Sequence, residues 1–225
     1  MKLTYYGHSC FGIELNGKNL LFDPFITQNK LANEIDVSKI SADHILISHA
    51  HFDHVADVEL IAKNTNAKLI SNVEIITYYH HKNIKGHAMN IGGAFSFDFG
   101  KVTMVNAIHS SQFQDGTFGG NPAGFIVETA EGNFYHAGDT ALTLDMKLIG
   151  ERYKLDFAML PIGSNFTMDF IDAATCAEFI QCDKIIGMHY DTFSAIKIDH
   201  SKAIAEFARN GKELMLMKIG EELSF

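Results

Sequence analysis

Residues 44–54 read His44-Ile45-Leu46-Ile47-Ser48-His49-Ala50-His51-Phe52-Asp53-His54. The run 44–48 is a short buried strand, and the apolar spacing that follows, at Val55, Val58, Ile61 and Ala62, has a helical period over 54–64. Four metal-capable side chains, His49, His51, Asp53 and His54, therefore fall within six residues at a strand-to-helix turn. Imidazole nitrogens and carboxylate oxygens are the ligands expected for zinc and similar first-row cations. Ligands at i, i+2, i+4 and i+5 on such a turn do not all aim at one ion. An extended segment puts His49 and His51 on one side, and the helix start turns Asp53 and His54 elsewhere. Two adjacent ions satisfy this spacing, and two-metal hydrolytic sites hold their ions roughly 3.5–4 Å apart. The competing reading is a solvated helix start capped by Asp53. It accounts poorly for three histidines in six residues behind a buried strand.

Outward from this turn, residues 2–6 read as a strand, and 10–15 and 19–23 as a hairpin around Asn16-Gly17. Residues 67–71 suggest a strand and 72–82 a helix. Two more hairpins follow, 94–99 with 101–108 turning at Gly100, and 123–129 with 133–137 turning at Glu131-Gly132. After Asp139 the pattern predicts helix 141–150, strand 156–161, helix 170–181, strand 184–189, helix 199–210 and strand 213–219. Both halves begin with hairpins and finish with alternating helix and strand. That order suits two packed sheets with helices on their outer faces, an α/β four-layer α/β/β/α sandwich in a single domain over 1–225.

Each ion needs further ligands, and in α/β folds these gather at the carboxyl ends of strands. His109 follows the strand VTMVNAI, Asp139 ends NFYHAGD, and His189 follows KIIGM. The arrangement expected is His49, His51 and His109 on one metal, Asp53, His54 and His189 on the other, with Asp139 bridging both through its two oxygens. Five His and two Asp suit zinc best, with manganese, iron and nickel compatible.

Composition narrows the partners. The 225 residues carry a net charge of −9, with Arg152 and Arg209 the only arginines. Nucleic-acid binding draws its affinity from clustered Lys and Arg, so no such role is expected. An acidic surface also disfavours stable association with anionic membranes. The three cysteines, Cys10, Cys176 and Cys182, form no CxxC pair and fit a reduced compartment. The N-terminus lacks the apolar core of a signal peptide, and no run is long enough to span a membrane, so a cytoplasmic location is expected.

The order HxHxDH, then His109, then Asp139 in Gly-Asp-Thr, then His189, resembles the metallo-β-lactamase superfamily over essentially the whole chain. Further stretches narrow the resemblance: GHSCF (7–11), LLFDP (20–24), NPAGF (121–125), YHAGDT (135–140), PIGSNFTM (161–168) and GMHYDTF (187–193). Together they are similar to uncharacterised metal-dependent hydrolases related to the L-ascorbate-6-phosphate lactonase branch. The resemblance implies the same sandwich and the same ligand set. It implies that Asp23 accepts an N–H from a ligating His and holds its tautomer. It also places His8 near the metals, to contact substrate or shuttle a proton. His136 is expected behind the ligands. Asn165, Thr167 and Met168 are expected to line the pocket, and His44, His80, His81, His87 and His200 to lie at the surface or at helix ends. Relatives in this branch often assemble, so a homo-oligomer is compatible, although the sequence carries no interface signature.

The expected chemistry is hydrolysis by a hydroxide bridging two divalent cations, with Asp53 as ligand and proton carrier. The expected substrate is an ester or lactone of a small metabolite, phosphorylated or not. A phosphodiesterase acting on a nucleotide or phospholipid is the alternative, and a non-catalytic metal-binding protein a third reading. Ser9 and Cys10 have no base–orienter set beside them, so no protein nucleophile is expected.

Overall fold

The computed structural model describes residues 1–225. The first half of the chain supplies β1 (Lys2–Gly7), β2 (Cys10–Leu15), β3 (Lys18–Phe22), β4 (His44–Leu46), α1 (Phe52–Val55), α2 (Val58–Thr65), β5 (Lys68–Asn72), α3 (Val73–His80) and β6 (Gly86–Met89). The second half supplies β7 (Ala94–Phe97), β8 (Gly100–Asn106), β9 (Ala123–Thr129), β10 (Gly132–His136), α4 (Asp145–Arg152), β11 (Phe157–Pro161), α5 (Phe170–Phe179), β12 (Lys184–Met188), α6 (His200–Arg209), β13 (Glu213–Met215) and β14 (Glu222–Ser224).

The strands form two seven-stranded mixed sheets, ordered β14-β1-β2-β3-β4-β5-β6 and β13-β12-β11-β10-β9-β8-β7. In each, an antiparallel hairpin region gives way to parallel strands joined through helices. The first hairpin turns where expected: Asn16 (φ 48) and Gly17 (φ 69) both take the left-handed conformation that a tight two-residue turn demands. β14 returns from the second half to pair with β1, so the two chain ends lie side by side.

Period-two alternation sorts side chains between the layers. Leu3, Ile13, Leu20 and Phe22 face Phe125, Val127 and Phe134 in one continuous core. Phe22 meets the rings of Phe125 and Phe134 edge-on at 6.4 and 6.0 Å. On the outer face of the first sheet, Leu21, Ile45 and Leu69 pack with Val58 and Ile61 of α2 and Ile75 and Tyr79 of α3. Ile149, Ala177 and Phe207 of α4, α5 and α6 are buried with the second sheet. Each such buried Leu, Ile, Val or Phe side chain contributes about 1.5–3 kcal/mol. The expected four-layer α/β/β/α sandwich is what the structure shows.

Local differences have physical causes. The helix expected over 54–64 is two helices, because Asp57 is buried between them. Its carboxylate accepts the backbone N–H groups of Ile26 (2.6 Å) and Thr27 (2.9 Å), tying the break to the loop after β3. The helix expected from 141 begins at Asp145, leaving 141–144 as part of the loop that follows Asp139. β6 and β14 are short edge strands without clear alternation, which hid them from pattern reading.

Candidate metal centre

Every expected ligand leaves the end of a strand at one rim of the sandwich. β4 delivers His49, and His51 is still extended (φ −65, ψ 148) as the residue before α1, whose first turn carries Asp53 and His54. β8, β10 and β12 end just before His109, Asp139 and His189, and β1 and β3 end just before His8 and Asp23. The structure brings all seven expected ligands together.

Their atoms form two groups. His49 Nε2 lies 3.0 Å from His51 Nδ1, and His109 Nε2 lies 3.2 Å from the same nitrogen. Asp53, His54 and His189 form the second group, joined by His8. Asp139 sits between them: its Oδ2 is 2.9 Å from His189 Nε2, 3.4 Å from His54 Nε2, 3.6 Å from His109 Nε2 and 3.9 Å from His49 Nε2.

The surrounding hydrogen bonds aim the lone pairs inward. Ser48 Oγ donates to Asp23 Oδ2 at 2.6 Å, so it accepts from His49 Nδ1 at 3.0 Å, which leaves His49 Nε2 a bare acceptor. Asp23 Oδ2 also accepts from His54 Nδ1 at 2.9 Å, which does the same for His54 Nε2. One buried carboxylate thus orients two imidazoles, His54 directly and His49 through Ser48. The backbone at Asp23 is left-handed (φ 43), and the Ser48 N–H donates to its Oδ1 at 2.7 Å.

The donors fit a cation. His54 Nε2 and Asp139 Oδ1 are enclosed without any hydrogen-bond partner. Buried polar atoms are rarely left so unless an ion or water completes them. The atoms within each group all lie within 4.8 Å of one another, as shared ligation of an ion requires.

Burial and mutual charge set the protonation states. Burial, reinforced by neighbouring His189, pushes His8 down to about 4, so it is neutral at pH 7. Burial also depresses His49 well below the usual histidine range. Burial opposes charge on His189 as well, yet Asp139 and Asp53 outweigh it and raise it to about 9. Asp139 lies well below the usual carboxylate range: its burial is overcome by His189 and His54. Neutral His8 donates from Nε2 to Asp53 Oδ2 at 3.0 Å, and the Thr192 hydroxyl, 3.0 Å from Nδ1 and 3.3 Å from the Tyr190 carbonyl, shares its single proton between the ring nitrogen and that carbonyl. His8 is held in place by its left-handed backbone (φ 57), and its carbonyl accepts the N–H of His189 and the hydroxyl of Tyr5.

Comparison with known proteins places the chain in a family. Residues 2–189 match the model of the beta-lactamase superfamily domain. The chain belongs to the beta-lactamase superfamily. It is 58% identical over 223 residues to a UPF0173 metal-dependent hydrolase of Flavobacterium johnsoniae, covering 99% of each chain. It is 52% identical over 224 residues to another such hydrolase of Christiangramia forsetii, again covering 99% of each. Among solved structures it is similar to Igni18, a metallo hydrolase of the archaeon Ignicoccus hospitalis, at 35% identity and a TM-score of 0.91 over 100% of this chain and 97% of that one. This superfamily member is a metal-dependent hydrolase.

Not every expected position lies at the centre of this superfamily fold. His136 is buried behind it, stacked on Phe22 at 4.9 Å and 3.9 Å from Asp23, the carboxylate that orients the ligands. Met168 is buried in the core instead of facing the centre, and its N–H donates to the carbonyl of Thr140 beside Asp139. Asn165 is exposed and makes no hydrogen bond to the cluster. His44, expected at the surface, is buried at the start of β4, whereas His200 is exposed and pairs with Asp191 at 2.6 Å. Thr192 and Ser48 were not singled out from sequence. Thr192 lies three residues after His189, and Ser48 directly precedes His49. No helix is long and apolar enough to cross a membrane.

Proposed function

We propose that this chain hydrolyses an ester or lactone of a small metabolite, phosphorylated or not, at a centre holding two divalent cations. The observation that carries the reading is the position of Asp139, whose Oδ2 lies within 4 Å of histidines from both ligand groups. His49, His51 and His109 would hold one ion; Asp53, His54 and His189 the other; Asp139 would serve both. Zinc suits this nitrogen-rich set best, with manganese, iron or nickel compatible. Such cations supply Lewis-acid activation of water and of the acceptor oxygen at neutral pH.

The chain's own residues do the rest. Asp23 and Ser48 lock His49 and His54 as Nδ1–H tautomers, so their ligand atoms need no rearrangement. Asp53 sits at the partly open mouth of the cluster, where its carboxylate can orient the attacking water. His8 Nε2 holds a proton against Asp53 Oδ2, and this pair can return a proton to the departing oxygen of the substrate. The resemblance to the ascorbate-6-phosphate lactonase branch, carried by GHSCF, LLFDP, NPAGF, YHAGDT, PIGSNFTM and GMHYDTF together, supports a lactone or ester.

The test is a panel of lactones, carboxylic esters and phosphodiesters, run with zinc- and manganese-loaded protein. Turnover of lactones or esters at least tenfold faster than of phosphodiesters is expected. Preferential phosphodiester cleavage would assign the chain to the alternative chemistry, and no turnover with both ions bound would favour a binding role.

A further inference from the structure

The start of β4 lies at the opposite end of the sandwich from the metal centre. His44 and His49 are five residues apart along nearly extended chain, which at about 3.3 Å per residue separates the two ends by roughly 16 Å. At this far end a cleft of about 820 Å³ opens between the two sheets, between the edge strands β6 and β7. We propose that it binds a nucleotide-sized anion, with the phosphate at Lys68 and Lys85 and the flat ring on His87, Phe95 and Phe97.

The cleft has the size of a small-molecule site. Its lining is basic on a chain of net charge −9: Lys18, Lys68 and Lys85 stand against Asp43 and Asp98. Lys18 is already committed, 3.0 Å from Asp98 and 3.9 Å from Asp43. Lys68 and Lys85 have no carboxylate partner, which leaves two cations free for an anion.

His44 adds a buried donor to this wall. It is 8% exposed, and its Nδ1 is enclosed without a partner. A proton on Nδ1 would be an unsatisfied buried donor, so the proton belongs on Nε2. That nitrogen has no hydrogen-bond partner in the protein and is not enclosed, and the side chain lines the cleft.

The opposite wall is aromatic. Along β7, Phe95 and Phe97 share one face with Phe99, which is buried in the core and stacked on Phe97 at 5.2 Å. The stripe emerges from the core into the cleft, where Phe95 is 46% exposed. His87 lies 4.1 Å from Phe95 and 5.1 Å from Phe97, ring to ring. A base stacks on such a surface without base-specific contacts. The stretch AFSFDF (94–99) has no role in the metal centre, and an open aromatic wall facing free lysines is the chemistry of a ring joined to a phosphate.

The experiment titrates metal-loaded protein with adenosine 5′-monophosphate by calorimetry, with inorganic phosphate and adenosine as separate arms. The His44 ring is followed by NMR in the same titration. Binding of the nucleotide at least tenfold tighter than of either fragment is expected, together with a shift of His44 Nε2. The double variant Lys68→Ala/Lys85→Ala, at two exposed positions, is expected to weaken nucleotide binding at least tenfold. A preference of less than tenfold over phosphate, an unmoved His44 ring, or a double variant within tenfold of wild type would each overturn the proposal.

Discussion

Asp23 and His54 are joined by a 2.9 Å hydrogen bond, and neither side chain has exposed surface. The same Asp23 oxygen takes the Ser48 hydroxyl, and through it His49. A single residue outside the ligand set therefore fixes one imidazole in each ligand group. Asp23→Asn keeps the size and tolerates the left-handed backbone, but its amide no longer offers a charged acceptor to both. Zinc affinity, measured by competition with a chromogenic chelator, is expected to fall about 10–100-fold. Unchanged affinity would show that the two rings are held by something else.

Asp139 is tested by stoichiometry rather than by rate. Because its carboxylate reaches histidines of both groups, Asp139→Ala removes a shared ligand and leaves His189 and His54 facing an empty space. In elemental analysis of purified, zinc-loaded protein the content is expected to fall from two ions per chain to fewer than one. His109→Ala removes a ligand from one group alone and is expected to cost one ion. Equal loss in both variants would contradict a shared role.

How far the sequence could be read depended on contiguity. His49, His51, Asp53 and His54 announce themselves because four donors occupy one turn. His109, Asp139 and His189 followed from the rule that ligands gather at strand ends. Ser48 and Thr192 did not, since a lone hydroxyl beside a ligand looks like any other; only the folded chain shows Ser48 Oγ between Asp23 and His49. Asp57 was invisible for another reason. Its carboxylate satisfies backbone N–H groups of a loop some thirty residues upstream, and apolar periodicity does not report such a contact. Met168 differs because its place in a loop after a strand suggests a pocket-lining position, while its burial in the core is decided by packing.

The Thr192–His8–Asp53 chain makes a prediction about rate without metal loss. Thr192→Val preserves shape but deprives His8 Nδ1 of its donor at 3.0 Å. On the ester or lactone that the panel identifies, kcat is expected to fall about tenfold with KM and metal content nearly unchanged. His8→Ala removes the proton carrier itself, and a loss of about 10²-fold or more is expected from the usual size of general acid–base catalysis. A Thr192→Val enzyme with wild-type kcat would detach the hydroxyl from the chemistry.

Gly163 lies directly after Ile162, whose N–H bonds to the Met188 carbonyl just before the last ligand. A Cβ at Gly163 would run into the backbone carbonyl of His189 and would also stand 3.0 Å from Ile196 Cβ. The carbonyl belongs to a residue with left-handed backbone (φ 55), which has little room to yield. Gly163→Ala is expected to cost about 1–3 kcal/mol in denaturant unfolding. It should also weaken metal binding, because the strain is transmitted to His189. A fully stable variant with normal metal content would show that the β11 and β12 ends move freely.

Protein stripped of metal should have a stability maximum near neutrality, and the sign follows from buried histidines displaced in opposite directions. His8 and His49 are moved downward by burial, and His189 and His54 upward because their carboxylate neighbours outweigh burial. His8 is lowered to about 4 by burial and by His189, so between about 6.5 and 4 the unfolded chain binds the extra proton. Stability therefore falls as pH drops through that window. His49, also depressed by burial, adds to the same slope. His189 behaves oppositely: raised to about 9 by Asp139 and Asp53 against its burial, it holds a proton in the folded state that the unfolded chain has released. Its contribution is full below about 6.5 and is lost as pH rises towards 9. Asp53 and Asp139, both depressed, are ionised in folded and unfolded chains alike above about pH 5 and add no slope there. Urea unfolding of chelator-treated protein between pH 4.5 and 9.5 should thus peak near 6.5 and decline on both sides. A curve that climbs steadily to pH 9 would mean that His189 is not held protonated between the two carboxylates.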